Sequence, residues 1–394
     1  MYIKKSRLIA GALTIIMITA TISVAIVNPF GSGHIMDFLK FSIVSKTIGS
    51  VYYEDIDGKE AANMAIAGVA AATGDPYTGF LWGDTARQYM EEVEGDYCGV
   101  GLYIEYDMEQ NLVSVVSAIA GSPAEAEGIG TGDKIIRVDG EVYLGEELTE
   151  AANRMRGEEG TEVTLTIRSA KTGEERDVTL TRRHIEIPAV TGEMVDAKVG
   201  RISISQFTAN VSERFKEKYD ELKGQGMTSL IIDLRNNPGG LLDEAVNIAS
   251  MFIDRGKLIT YTLDKSGNKE EYFSASEADV TPDLNMPVVI LINQGSASAS
   301  EVLSGAMKSY DRAVLLGEKS YGKGIVQGVF EIGEDILSVT VSRYYTPDGV
   351  CIHGEGIGPD LEVIMDDEKS AYLSSLKKEE DNQLLAAIEF LNME

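Results

Sequence analysis

Apolar and polar positions divide this chain into stretches of different period. Leu8 to Val27 is 20 residues without a charge, preceded by Lys4, Lys5 and Arg7. As a helix it is about 30 Å long, enough to cross a bilayer. The basic flank predicts a cytoplasmic N-terminus and an exported remainder. Ser23-Val24-Ala25 also fits a small-x-small cleavage site, so residues 1–30 read either as a stub with a transmembrane anchor or as a signal peptide. The apolar run continues past Ala25 and exceeds a usual signal core, which favours the anchor.

Residues 34–87 carry apolar and small residues at helical spacing (Ile43, Ile48, Val51, Ala61 to Ala72) up to the turn Gly74-Asp75-Pro76-Tyr77. From 88 to 182 the period shortens to two. Leu112–Val116, Lys134–Val138 and Val163–Ile167 read as strands, with one helical stretch from Gly145 to Arg156. Between 183 and 365 strands alternate with helices: Ser229–Arg235 then Leu241–Ile253, and Val288–Asn293 then about Ser298–Tyr310. That alternation predicts a parallel sheet with its ligands beyond the carboxyl ends of the strands. In 366–394, Leu373, Leu376, Leu384, Leu385, Ile388 and Leu391 predict a docked amphipathic helix.

Composition changes this picture little. The 394 residues carry 35 basic and 63 acidic side chains, a net charge of −28 that argues against nucleic acid as a partner. Two distant cysteines, Cys98 and Cys351, fit neither a disulfide framework nor a zinc spacing. Three scattered histidines leave no metal cluster and few candidates for a general base.

Two junctions could carry chemistry. After the strand ending at Arg235, Asn236-Asn237-Pro238-Gly239-Gly240 lets backbone N–H groups approach a ligand, as an oxyanion hole requires; a tight turn is the plainer reading. After the next strand, Gly295-Ser-Ala-Ser-Ala-Ser-Glu301 places hydroxyls at a helix start, though Ser298-x-x-Glu301 is also a capping box. With no G-x-S-x-G elbow around Ser298 and only His184 and His353 in or beside this segment, a lysine is the alternative base. Lys323 lies between glycines in Gly317-x-x-x-x-Gly322-Lys323-Gly324, a near match to a phosphate loop that fails because Gly324 replaces its Ser/Thr. A neutral lysine at pH 7 requires a pKa some 3 units below ~10.4, about 4–5 kcal/mol of differential interaction, which burial supplies and a nearby carboxylate opposes. Gln327 is a neutral candidate to orient it. In a straight strand the two side chains would start ~13 Å apart, so a bend at Gly324 or Gly328 is required.

In these residues the chain resembles the carboxy-terminal processing peptidases. The matching motifs are Asp75-Pro-Tyr-Thr-Gly-Phe-Leu81, Asp233-Leu-Arg-Asn-Asn-Pro-Gly-Gly240, the serine run, Tyr321-Gly-Lys-Gly-Ile-Val-Gln327 and Gly356-Ile-Gly-Pro-Asp360, in order over about 40–365. The resemblance implies a multidomain α/β and α+β chain: a ClpP/crotonase-like protease core at 183–365 with a PDZ domain inserted at 88–182. It also implies Ser298 as nucleophile, Lys323 as base and Gln327 as orienter. The oxyanion donors would be the Ala299 N–H and one from Gly239-Gly240. Thr78 stands where serine is usual and His353 where glutamine is common. Gly99-Val100-Gly101-Leu102 is similar to a PDZ carboxylate-binding loop, and Arg156 resembles an arginine linking an occupied PDZ domain to the active site. No cofactor is implied. The expected partners are peptides with exposed C-termini, the membrane through the N-terminal helix, and a second copy through the terminal helices. Two rival readings are a degenerate peptide-binding scaffold and a small-ligand carrier on the same core.

Overall fold

The parallel strands form because apolar residues dominate them, without interruption at 288–292 and at 230–232, and the sheet they build is buried on both faces at its centre. In the computed structural model, described for residues 35–394 except 95, 109, 120, 187, 276–280, 367–368, 370–372, 374–375 and 394, this sheet has six strands. Their order is Val190–Met194, Val199–Ile204, Ser229–Asp233, Val288–Ile292, Val314–Gly317 and Leu361–Glu362; the first pair is antiparallel and the others are parallel. Ile202, Leu230, Ile232, Ile290 and Ile292 point to a core closed by helices Val211–Gly224, Leu242–Ser250 and Ala299–Ser309. Ile231, Val289, Leu291 and Leu316 point the other way.

The C-terminal helix covers that second face. It spans Asn382–Met393, shorter than the expected 366–394, and buries Leu384, Ala387, Ile388 and Leu391, each large side chain contributing about 1.5–3 kcal/mol. Leu385 falls on the outer side and is exposed.

A second, antiparallel sheet was not anticipated from the sequence. Asp335–Tyr345 pairs with Ile325–Ile332, with Gly79–Leu81 and with Leu258–Asp264, which in turn pairs with Lys269–Phe273. The Gly79–Leu81 pairing draws residues 73–87 into the body of the protein. The chain accordingly divides into two units, 1–72 and 73–394.

Within the second unit, Leu102–Thr181 forms its own domain around Val113, Ile135, Leu165 and Leu180. Its two ends, Asp96–Gly99 and Arg183–Glu186, pair with each other as a neck. The described part of the first unit contains helices Ile35–Val51 and Gly58–Ala71. The expected anchor at 8–27 lies outside the described residues, among which no helix is long and apolar enough to cross a membrane.

Candidate active site

The two suspect junctions are neighbours, because strands Ser229–Asp233 and Val288–Ile292 are paired in parallel with Asp233 opposite Leu291. Beyond their carboxyl ends the loops are laced together. Ser296 Oγ donates to Leu234 O at 2.8 Å, Ser300 Oγ donates to Asn237 O at 3.0 Å, and Ala297 N–H donates to the same carbonyl. Both outer serines are fully buried. The middle serine of the run, Ser298, instead lines a cavity of about 360 Å³ together with Gly239, Gly240, Ala299, Lys323, Gln327 and Tyr344.

Ser298 has φ 52° and ψ −115°, a conformation costly for a residue with a Cβ. It is also outside the extended region from which a capping side chain reaches the first amides of a helix, and the Ser298 hydroxyl makes no cap bond. Only the glutamate half of the expected capping box serves, through Ser298 N–H to Glu301 Oε2 at 2.9 Å. Glu301 is completely buried and does more than cap. Its Oε2 also accepts from Lys323 N–H at 2.9 Å, and its Oε1 accepts from Ser320 Oγ and Gly322 N–H at 2.6 and 2.7 Å.

Lys323 lies just ahead of the strand Ile325–Ile332, whose register irregularity falls between Val326 and Gln327 rather than at Gly324 or Gly328, where a bend was expected. Lys323 Nζ donates to Gln327 Oε1 at 3.0 Å. The amide orientation is fixed, because Gln327 Nε2 donates to Tyr77 O, which can only accept, and to Ser338 Oγ, both at 2.8 Å. Burial pushes the Lys323 pKa below the usual lysine value, opposed by the carboxylate of Asp75. For Asp75 itself burial acts upward, but hydrogen bonds from hydroxyls including Thr78 (2.7 Å) and from Tyr77 N–H (3.1 Å) outweigh it and keep the pKa low. The Tyr77 ring lies 4.9 Å from Nζ and, with Asp75, favours the ammonium. Among the described residues Nζ bonds to Gln327 and not to Ser298 Oγ.

The oxyanion candidates separate. Gly239 is corrected as a donor: its N–H is taken by Asn237 Oδ1 at 2.9 Å. Gly240 has φ 137°, and both bonds of its bridge to Phe207 are made by its neighbours, Gly239 O and Leu241 N–H, so its own N–H turns away from Phe207. Ala299 N–H, at the start of its helix, has no partner among the hydrogen bonds of the described residues. Ala299 and Gly240, whose amides are not taken in this way, both line the Ser298 cavity.

In the inserted domain, Leu102–Asp107 is an edge strand, paired among the described residues only with Leu112–Ala118. Ile104 on that strand and Leu148 and Ala152 on helix Leu148–Met155 line a cavity of about 360 Å³ that also touches Gln88, Glu91, Gln206 and Arg156. Arg156 sits 5.3 Å over the Tyr97 ring and 3.7 Å from Glu91 Oε2. The Gly99–Leu102 loop is anchored by Val100 O accepting from Ala124 N–H and Gly101 O accepting from Ile119 N–H. Gly101 has φ 78°, and a Cβ there would lie 2.2 Å from Ser122 Cβ. Gly101→Ala is therefore expected to weaken binding of a C-terminal peptide more than tenfold in a fluorescence titration; unchanged affinity would remove the loop from that role.

A strained serine at a helix start, a half-buried lysine in the same cavity and an edge-strand groove define a serine peptidase with a PDZ domain. Residues 198–363 match peptidase family S41, and residues 114–169 match a PDZ domain. A "Probable CtpA-like serine protease" of Staphylococcus aureus (strain COL) is 36% identical over 370 residues, covering 92% of this chain and 73% of that protein. The solved photosystem II D1 C-terminal processing protease is 29% identical with a TM-score of 0.50, over 88% of this chain and 92% of that one. The chain belongs to peptidase family S41 and is a serine-type C-terminal processing peptidase.

Proposed function

We propose that this peptidase is a membrane-tethered, extracytoplasmic endopeptidase that selects protein substrates by their exposed C-termini and cleaves them through a Ser-Lys acyl-enzyme. Ser298 Oγ attacks the scissile carbonyl carbon as neutral Lys323 takes its proton. The tetrahedral oxyanion is met by the Ala299 and Gly240 amides, and the C–N bond breaks as Lys323 returns the proton to the leaving amine. Water, activated by the same lysine, then hydrolyses the ester. Gln327 directs the amine by accepting from it. The observation that carries this reading is the shared cavity of Ser298 and a lysine whose pKa burial lowers.

Substrate selection rests on the Leu102–Asp107 edge, where a peptide can add as a strand with its carboxylate on the Gly99–Leu102 amides. Membrane attachment rests on the sequence of residues 8–27. Homodimerisation through the terminal helices is supported by Ile43, Val44 and Val51, which helix Ile35–Val51 leaves exposed. The test is digestion of one unfolded protein prepared with a free and with an amidated C-terminus. The amidated form is expected to be cleaved at least tenfold more slowly at low substrate concentration; equal rates would refute selection by the terminus.

A further inference from the structure

The backbones of the nucleophile and the base are held in a matched way. Ser298 N–H and Lys323 N–H both donate to Glu301 Oε2, each at 2.9 Å. Their carbonyls are held as well: Tyr344 Oη lies 2.9 Å from Ser298 O and 2.7 Å from Lys323 O. Tyr344 comes from the long strand Asp335–Tyr345, which belongs to neither loop, and its side chain is only 2% exposed. Burial, reinforced by the charge of Glu301, pushes its pKa well above the usual phenol value, so the hydroxyl remains a proton donor throughout the working range.

Resting on the assignment of Ser298 and Lys323 above, we propose that Tyr344 is a positioning residue whose phenol fixes the separation of nucleophile and base. One phenolic proton is shared between two carbonyls, so the hydroxyl bridges the two loops. The carboxylate holds the peptide unit before each residue and the phenol the unit after it. Ser298 O is also held by the Glu301 and Val302 N–H groups at 2.8 and 3.0 Å, so what the phenol adds is a tie from that fixed helix start to Lys323 O. Without that tie the Lys323 backbone can shift and carry Nζ away from Ser298 Oγ, and misplacement of a reacting atom by about 1 Å costs on the order of 100-fold in rate. Lys323 O has no other hydrogen-bond donor among the described residues, so its peptide depends on this contact.

The test is Tyr344→Phe, which keeps the ring in its packing and removes only the hydroxyl. It is compared with Tyr219→Phe, where a buried phenol donating to Asp283 at 2.7 Å lies on the helix Val211–Gly224, and with Ser298→Ala. Each is assayed for kcat and KM on an unfolded protein, for labelling by a fluorophosphonate, and for its melting temperature. Tyr344→Phe is expected to lower kcat and the labelling rate together by about 10- to 100-fold, with KM within twofold of wild type. Tyr219→Phe is expected to lose comparable stability with no loss of kcat. Full activity in Tyr344→Phe, a loss confined to KM, or an equal loss in Tyr219→Phe overturns the proposal. Retained cleavage and labelling in Ser298→Ala overturns the underlying assignment instead, and the positioning role with it.

Discussion

Ser298→Ala is expected to lower kcat/KM on an unfolded protein by about 10⁴- to 10⁶-fold, the range typical of removing a covalent nucleophile. KM and the melting temperature should barely move. Ser298→Gly should be equally inactive and more stable than wild type by about 1 kcal/mol: it relieves a backbone strain of about 1–3 kcal/mol at φ 52° and gives back about 0.5–1 kcal/mol as unfolded-state entropy. The same trade holds at the base. The Lys323 pKa is lowered in the folded protein, so the unfolded chain binds the extra proton more readily, and stability rises with pH between the folded and unfolded values. Below that window the protein holds a disfavoured ammonium. Lys323→Met should therefore be inactive and no less stable at neutral pH. For wild type, kcat/KM should rise with pH to a midpoint below the ordinary lysine range, and Gln327→Glu should move that midpoint upward by adding a carboxylate at the amine. A rate that falls as pH rises through neutrality, or Ser298→Ala retaining even a tenth of activity, would contradict the assignment.

The parallel strands and the serine run were legible because their signals are local: continuous apolar runs, turn residues and a helix start. Because ligands sit beyond the carboxyl ends of parallel strands, the same signals place both suspect loops at one end of the sheet. Contacts made across the fold were not legible. Glu301 looked like a capping residue, which it partly is, but its other partners lie 19 to 22 positions away. Asp75 and Tyr77 stood in a recognisable motif without a role, since only the pairing of Gly79–Leu81 with Asp335–Tyr345 brings them to Lys323. Even so, a carboxylate opposing the lysine's shift was recognised as a hazard, and Asp75 supplies one. The antiparallel sheet escaped because its strands come from widely separated stretches of the chain. The choice of Gly240 over Gly239 depended on one side chain, Asn237, claiming the nearer amide.

The largest effect on stability is expected at Arg235, within the motif that leads into the oxyanion turn. Its guanidinium is almost wholly buried and binds both carboxylate oxygens of Asp381 at 2.9 and 2.8 Å, Asp233 at 2.9 and 2.6 Å, and Gln383 Oε1 at 3.1 Å. It therefore pins the residue before the C-terminal helix to the loop that carries Gly240. Arg235→Met is expected to destabilise the protein by about 3–5 kcal/mol, because it strands buried carboxylates rather than because the pair itself is strong. The sign with pH separates this cause from a simple packing loss. In wild type, burial acts to raise the Asp381 pKa, but hydrogen bonding and attraction to Arg235 outweigh it and hold the pKa low. That contribution is present above the unfolded value near 4 and is lost as pH falls through the folded one. Without the guanidinium, burial raises the Asp381 pKa, the native state then binds the extra proton, and stability falls as pH climbs above about 4. The deficit measured by urea unfolding should accordingly widen from pH 4 to pH 7, and adding Asp381→Asn to Arg235→Met should recover part of it. A deficit independent of pH would mean that Arg235 contributes through packing alone.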